Sequence, residues 1–329
     1  MLKLRAKLAI SSVIAVIFFA VLISTSSCSP KVQKFKAREQ DPQIISENSA
    51  SYIIAGDGVR LPLRKWQSTN NPKAVLLGVH GFNDYSKSFA MPGEYFSEFE
   101  ISVYAYDQRG FGSHNIAAKN PGVWGGEQNF THDLEDALAA LRVRYPHTPI
   151  FIVGESMGGA VTILSALDNK LEHADGIILS APAVWGGKSM PWIYRATSYT
   201  TAHLFPSARL SGKGVVKVQA SDNLEMLKEL GKDPLIIKSS RADTLYGIVQ
   251  LMDKTANKAT HFKNFEKPTL ILAGEKDEII KPKATKAFLD TLDNSHDTIF
   301  YEDGWHLLMR DLARKKVYED ILKWVDQRV

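Results

Sequence analysis

The sequence predicts an α/β fold: a mostly parallel sheet flanked by helices, interrupted by one insertion. Three observations carry that prediction. Apolar runs of strand length alternate with stretches of helical period. One of those runs, "PIFIV", leads straight into Gly154-Glu155-Ser156-Met157-Gly158. Between about residues 183 and 250 the alternation stops, with no clear apolar strand. A chain of 329 residues, 44% hydrophobic and 23% charged, is long enough for one large domain of this class.

In chain order, "SYIIAGDGVRLPLRKW" holds two short β-like runs around Gly56-Asp57-Gly58, a hairpin signal that gives the sheet a mixed, antiparallel edge. "KAVLLGVH" (73–80) is nearly all apolar, as expected of a strand buried on both faces. A helix-like stretch over 93–100 precedes the strand "ISVYAYD" (101–107). Leu134, Ala137, Leu138 and Leu141 recur at helical spacing and predict a helix over 131–145, with Asp133, Glu135 and Asp136 near its positive end. Strands follow at 149–154, 176–182, 268–274 and 298–304, with helices after Ser156, near 284–292 and at 315–327. The insertion carries Trp185, Met190, Trp192, Tyr194, Tyr199 and Phe205, too apolar for a purely solvated loop.

Why bracket one serine with glycines at the end of a buried strand? An abrupt strand-to-helix turn lifts the serine clear of the sheet at the end where open parallel sheets bind ligands. Residues two before and two after it come close, so both are glycine; this Gly-x-Ser-x-Gly turn is a nucleophile elbow. A serine hydroxyl needs a base to take its proton and a third group to orient that base. Downstream, "LAGEKDEI" places Asp277 just past one strand and "YEDGWH" places His306 just past the next. Asp303 rivals Asp277 but, three residues before His306, is better placed to shape that loop; His80 rivals His306 but precedes the nucleophile and fits a structural role in its own turn. The backbone N–H groups of Phe82, after the His-Gly turn, and of Met157, after the serine, are the candidate oxyanion donors. Asp107 and Arg109 read as a loop-fixing ion pair, and Glu155 as a partner for a neighbouring polar group.

The N-terminus is a separate object. "MLKLRAK" and the uncharged run Leu8–Ile23 lead through "STSS" into Cys28, the only cysteine. That order describes an export signal, residues 1–27, and resembles a bacterial lipoprotein signal with Cys28 as the lipidated residue, although Thr25 departs from the usual leucine. A retained signal anchor is the alternative. Each reading expects an extracytoplasmic, membrane-associated protein. Residues 28–50, polar and containing Pro30 and Pro42, read as a flexible tether, and 51–329 as the folded domain. A lone cysteine closes no intrachain disulfide. Three of the net +4 charges lie in the first seven residues, so the rest is nearly neutral and gives no basis for nucleic-acid binding. No Cys/His ligand cluster is present, and neither a metal nor an organic cofactor is expected.

"HGFNDYS", "YDQRGFGSH", "GESMGGA", "LAGEKDEI" and "GWH", in that order across about residues 55–327, resemble the α/β-hydrolase superfamily and, within it, the monoacylglycerol lipase and lysophospholipase group, also called serine aminopeptidase S33 or Hydrolase_4. The resemblance implies Ser156, Asp277 and His306 as a catalytic triad, Phe82 and Met157 as oxyanion donors, and the insertion as a lid over an acyl pocket. It implies a serine esterase acting on a lipid-like ester through an acyl-enzyme. "NDYS" stands where this group often has Glu-His-Ser, a departure that bears on the leaving alcohol. A short-chain carboxylesterase or thioesterase is the alternative activity; a catalytically inactive hydrolase fold serving as a surface binding protein is the alternative of a different class.

Overall fold

A computed structural model of the protein describes residues 29–117, 122–186, 189–211, 218–292 and 296–329. The chain opens with three antiparallel strands, β1 (Gln43–Glu47), β2 (Ala50–Ile54) and β3 (Arg60–Trp66). There follow β4 (Ala74–Val79), α1 (Ala90–Ser97), β5 (Ile101–Tyr106), α2 (Gly112–Ala117), α3 (Glu127–Arg144), β6 (Ile150–Glu155), α4 (Met157–Leu167) and β7 (Gly176–Ser180). The insertion supplies α5 (Trp192–Leu204), β8 (Arg209–Leu210), α6 (Leu224–Lys232), β9 (Ser240–Arg241) and α7 (Ala242–Asn257), and α8 (Ala259–Phe262) leads back to the sheet. The chain closes with β10 (Thr269–Gly274), α9 (Pro282–Leu289), β11 (Asp297–Tyr301) and α10 (Arg314–Asp326).

Among the described residues, nine strands form one sheet in the order β1-β2-β3-β5-β4-β6-β7-β10-β11, parallel from β5 onward. The apolar runs are continuous because helices cover both faces. Successive side chains point to opposite sides: Val75, Leu77, Val79, Ile150 and Ile152 join the core under α3 and α4, while Ala74, Leu76, Phe151 and Val153 join the core under α1 and α10.

The topology also chooses the site. From β4 the chain steps to β5 on one side, then returns to β6 on the other, so the strand order reverses at β4. Such a reversal opens a crevice outside the carboxyl ends of the two flanking strands. Val79 and Gly154 are register partners there, which sets the loop after β4 beside the turn after β6.

Two sequence-based boundaries shift. The segment expected to be a tether is bound to the fold from residue 31: the Lys31 N–H donates to Asp243 Oδ2 (3.2 Å) and the Gln33 N–H to the Trp124 carbonyl (2.9 Å). Gln43–Glu47 is the edge strand β1, whose side chains are half-buried or exposed. An edge strand needs only backbone bonds along one side, so its composition resembles a linker. Helix α3 begins at Glu127, a turn before its apolar stripe. The expected export signal (1–27) and Cys28 lie outside the described residues. Among the described residues no helix is long and apolar enough to cross a membrane.

Candidate active site

Strand β6 delivers Ser156 into the crevice. Its backbone is left-handed, φ +53° and ψ −113°, a conformation a non-glycine residue holds only where its surroundings impose it. Both bracketing glycines are required, though not by each other's side chains alone. A Cβ on Gly158 would stand 1.9 Å from the Val79 carbonyl oxygen at the end of β4. One on Gly154 would meet the Gly158 oxygen and the Gly159 Cα at 2.8 Å. The elbow is thus wedged against the neighbouring strand and its own helix.

His306 and Asp277 arrive on the loops after β11 and β10. Those loops touch backbone to backbone: the Lys276 N–H donates to the Gly304 carbonyl (2.9 Å), and Gly274 has no room for a side chain against Gly304. The result is a continuous chain of contacts, with His306 Nδ1 2.8 Å from Asp277 Oδ2 and His306 Nε2 2.9 Å from Ser156 Oγ. A carboxylate only accepts, so Nδ1 carries the imidazole proton and Nε2 is left to accept from the serine hydroxyl. The other Asp277 oxygen accepts the N–H groups of Ile279 (2.8 Å) and Ile280 (2.9 Å), which fixes the carboxylate plane. Asp303 takes no part: it is exposed and paired with Lys276 at 2.6 Å.

The loop after β4 is anchored by His80. Its Nε2 accepts from the Gln108 N–H (3.0 Å), which leaves Nδ1–H to donate to the Gly81 carbonyl (2.8 Å), while Gln108 Nε2 donates to the His80 carbonyl (2.8 Å). The ring is fully buried, and burial pulls its pKa below the ordinary histidine value. Gly81 lies against Ser156; a Cβ there would be 3.3 Å from the serine Cβ. Neither the Phe82 nor the Met157 N–H is paired with a backbone acceptor among the described residues. Asp107 and Arg109 do not pair with each other. Asp107 accepts from Ser86 and Ser113, and Arg109 binds Asp57 and Asp133.

Ser156 and Phe82 open onto a cleft of about 430 Å³. Its walls are largely apolar: Ile279 and Ile280 from the Asp277 loop, Tyr194, Thr197 and Thr201 from α5, and Leu245, Ile248, Val249 and Met252 from α7. That volume lies within the range of small-molecule sites. No group of three or more His, Cys, Asp or Glu that could hold a metal occurs among the described residues.

Residues 70–313, most of the chain, match the family model described as "Serine aminopeptidase, S33". The chain belongs to the serine aminopeptidase S33 family. It is 25% identical to human monoglyceride lipase over 290 residues, 87% of this chain and 93% of that one. The fold superposes with a TM-score of 0.71 on a soluble variant of monoglyceride lipase from Saccharomyces cerevisiae, solved with a substrate analogue, at 20% identity, covering 91% of this chain and 99% of that one. A carboxyl esterase from Bacillus coagulans superposes with a TM-score of 0.68 at 18% identity, covering 88% and 99%. The architecture is the α/β-hydrolase fold.

In this S33 chain several residues around the site gave no sequence signal. The rear of the insertion holds the His306 loop: the Leu307 N–H donates to the Ala220 carbonyl (3.0 Å), Ser221 Oγ donates to Asp311 Oδ1 (2.6 Å), and Asp311 Oδ2 accepts the Trp305 N–H (2.8 Å). Burial raises the Asp311 carboxyl to about 6. The "NDYS" loop is likewise bound to the insertion, Asn83 to Ser240 and Tyr85 Oη to Asp233 (2.7 Å). Glu155 finds its partner in Arg310. Their separations in sequence, up to 157 residues, leave no local pattern to read.

Proposed function

We propose that this S33-family protein is a carboxylic ester hydrolase of the monoacylglycerol lipase type, working through an acyl-enzyme on Ser156. The observation that carries the reading is the unbroken line from Asp277 through His306 to Ser156 Oγ at the floor of an apolar cleft. Ser156 attacks the ester carbonyl as His306 Nε2 takes its proton; the imidazolium that forms faces the Asp277 carboxylate. The Phe82 and Met157 N–H groups stabilise the tetrahedral oxyanion. His306 then protonates the leaving alcohol, and water repeats the sequence to free the acid. The cleft takes the acyl chain, and the substrate is an ester of monoacylglycerol or lysophospholipid type. Labelling by a fluorophosphonate, followed by hydrolysis of a graded series of acyl esters, tests the reading. An unlabelled protein would turn it into an inactive binding fold, and a rate falling with chain length would make it a short-chain esterase.

We further propose that Cys28 carries acyl chains that hold the protein at a membrane. Several chains on one residue anchor stably where one binds only marginally. Because Lys31 is already bonded to Asp243 at the start of α7, no long spacer follows Cys28. Three extended residues reach only about 10 Å, which keeps the insertion close to the bilayer. Mass spectrometry of the mature N-terminus should find a diacylglyceryl-modified Cys28; an intact Met1 or Leu2 would make the segment a signal anchor.

A further inference from the structure

Beside the Ser156–His306–Asp277 line lies a buried ionic cluster to which the reaction gives no acid, base or nucleophile role. Arg310 donates through Nη2 to Glu155 Oε1 (2.5 Å) and pairs through Nη1 with Asp84 Oδ2 (2.8 Å). Arg310 is 3% exposed, Glu155 1% and Asp84 9%. Each member sits on a different part of the site. Asp84 lies two residues after Phe82, Glu155 directly precedes Ser156, and Arg310 follows His306 by four. The cluster also touches the loop between them: a Cβ on Gly81 would be 3.7 Å from Glu155 Oε1 and 3.3 Å from Ser156 Cβ. Both ends are secured, by the Tyr85 N–H on Asp84 Oδ1 (2.8 Å) and by Asn223 Nδ2 on the Arg310 carbonyl (3.0 Å).

A second buried arginine supplies the contrast. Arg109, 4% exposed, binds Asp133 (2.6 Å) and Asp57 (2.7 Å), so it too joins one guanidinium to two carboxylates. It links the β2–β3 turn to α3, and neither of these partners lines the cleft. The chemistry is the same and only the elements joined differ. Buried ion pairs add little net stability, because desolvation offsets their attraction, so what Arg310 joins matters more than that it is paired.

We infer that Arg310 is a positioning residue: by bridging Glu155 and Asp84 it sets the mutual placement of the nucleophile turn, the histidine loop and the Phe82 N–H. This role rests on the ester-hydrolase reading of Ser156. A lysine keeps the charge but lacks the planar fork that spans two carboxylates. Arg310→Lys should therefore loosen the site without emptying the cleft, and misplacement of about 1 Å costs on the order of 10²-fold in rate.

The experiment compares full-length wild type, Arg310→Lys, Asp84→Asn and Arg109→Lys on a soluble ester, each below its own unfolding midpoint. Arg310→Lys should lower kcat about 10²-fold with KM within about threefold, and slow fluorophosphonate labelling by a like factor, the pattern of an interaction realised in the transition state. Arg109→Lys should lower the midpoint comparably while kcat stays within about twofold. Asp84→Asn leaves Arg310 paired with Glu155 and should cost about tenfold in kcat, which keeps the role testable if Arg310→Lys fails to fold. An active wild type with Arg310→Lys and Asp84→Asn unchanged in kcat, or with an equal loss in Arg109→Lys, overturns the positioning role. A wild type that neither labels nor turns over overturns the esterase reading, and this role with it.

Discussion

The sheet end and the insertion meet at one cleft but are built by different means. At the sheet end backbone contacts set the three aligned side chains: Ser156 by a wedged turn, Asp277 by two N–H groups, His306 by loops in contact at Gly274 and Gly304. The insertion is divided. Its front helix α5 lines the cleft with Tyr194, Thr197 and Thr201 while Trp192 at its start and Phe205 just past its end are 70% and 63% exposed. Its rear half is bonded to the His306 and Phe82 loops through Ala220, Ser221, Asp233 and Ser240. The lesson is that reactivity and chain-length preference should separate at α5 and merge at the rear of the insertion.

The largest effect belongs to the sheet end. Ser156→Ala should remove ester turnover by on the order of 10⁵–10⁶-fold and abolish fluorophosphonate labelling. Its thermal midpoint should move by only about 2 °C, since a single oxygen leaves a site open to the cleft. Turnover above about one per cent would place the nucleophile elsewhere.

Asp277→Asn comes next, at on the order of 10⁴-fold, because the amide favours the wrong imidazole tautomer. Asp303→Asn should change the rate by less than about twofold, since it is exposed and paired with an exposed lysine. A reversed order in measured kcat/KM would show that the loop closes differently during turnover.

The front of the insertion should act on preference alone. Each acyl CH₂ buried in the cleft is worth about 0.8 kcal/mol, or roughly fourfold in kcat/KM, so medium and long chains should exceed acetate by orders of magnitude. Thr201→Trp, which fills part of the cleft, should cut long-chain esters by about 10²-fold while sparing acetate. Equal losses on both would erase the distinction between the front helix and the sheet end.

The smallest effect is on stability at the rear. The folded Asp311 carboxyl is raised to about 6 by burial, above its unfolded value near 3.8, so the fold favours the neutral form. Its contribution is complete below about pH 4 and is lost as pH rises through about 6. In urea unfolding, Asp311→Asn should therefore gain stability relative to wild type across that window. A difference independent of pH would mean that the Ser221 and Trp305 bonds hold the carboxylate without cost.

How legible was this in the chain? Strands β4, β6 and β10 were plain because burial on both faces forces an unbroken apolar run. Edge strand β1 was not, since half-exposed side chains make it read as linker. Ser156, Asp277 and His306 each stand in a short local pattern just past a strand end, and the structure brings those three side chains within hydrogen-bond distance. Arg310 could not. An arginine four residues past a histidine has no local reason to seek Glu155, 155 positions earlier.

The sequence by itself determined what depends on neighbours along the chain: the alternation of strands and helices, the elbow glycines, and the placing of Ser156, Asp277 and His306 just past strand ends. Tertiary structure alone decided what depends on contacts across the chain. It set which carboxylate faces His306, with Asp303 turned out to Lys276 and Asp277 turned in. It bonded Lys31 to Asp243 and let the insertion grip the His306 and Phe82 loops. A short motif records backbone strain and strand burial because those are local constraints on each residue. A partner hundreds of ångströms away along the extended chain is chosen only when the sheet closes and desolvated charges must find one another.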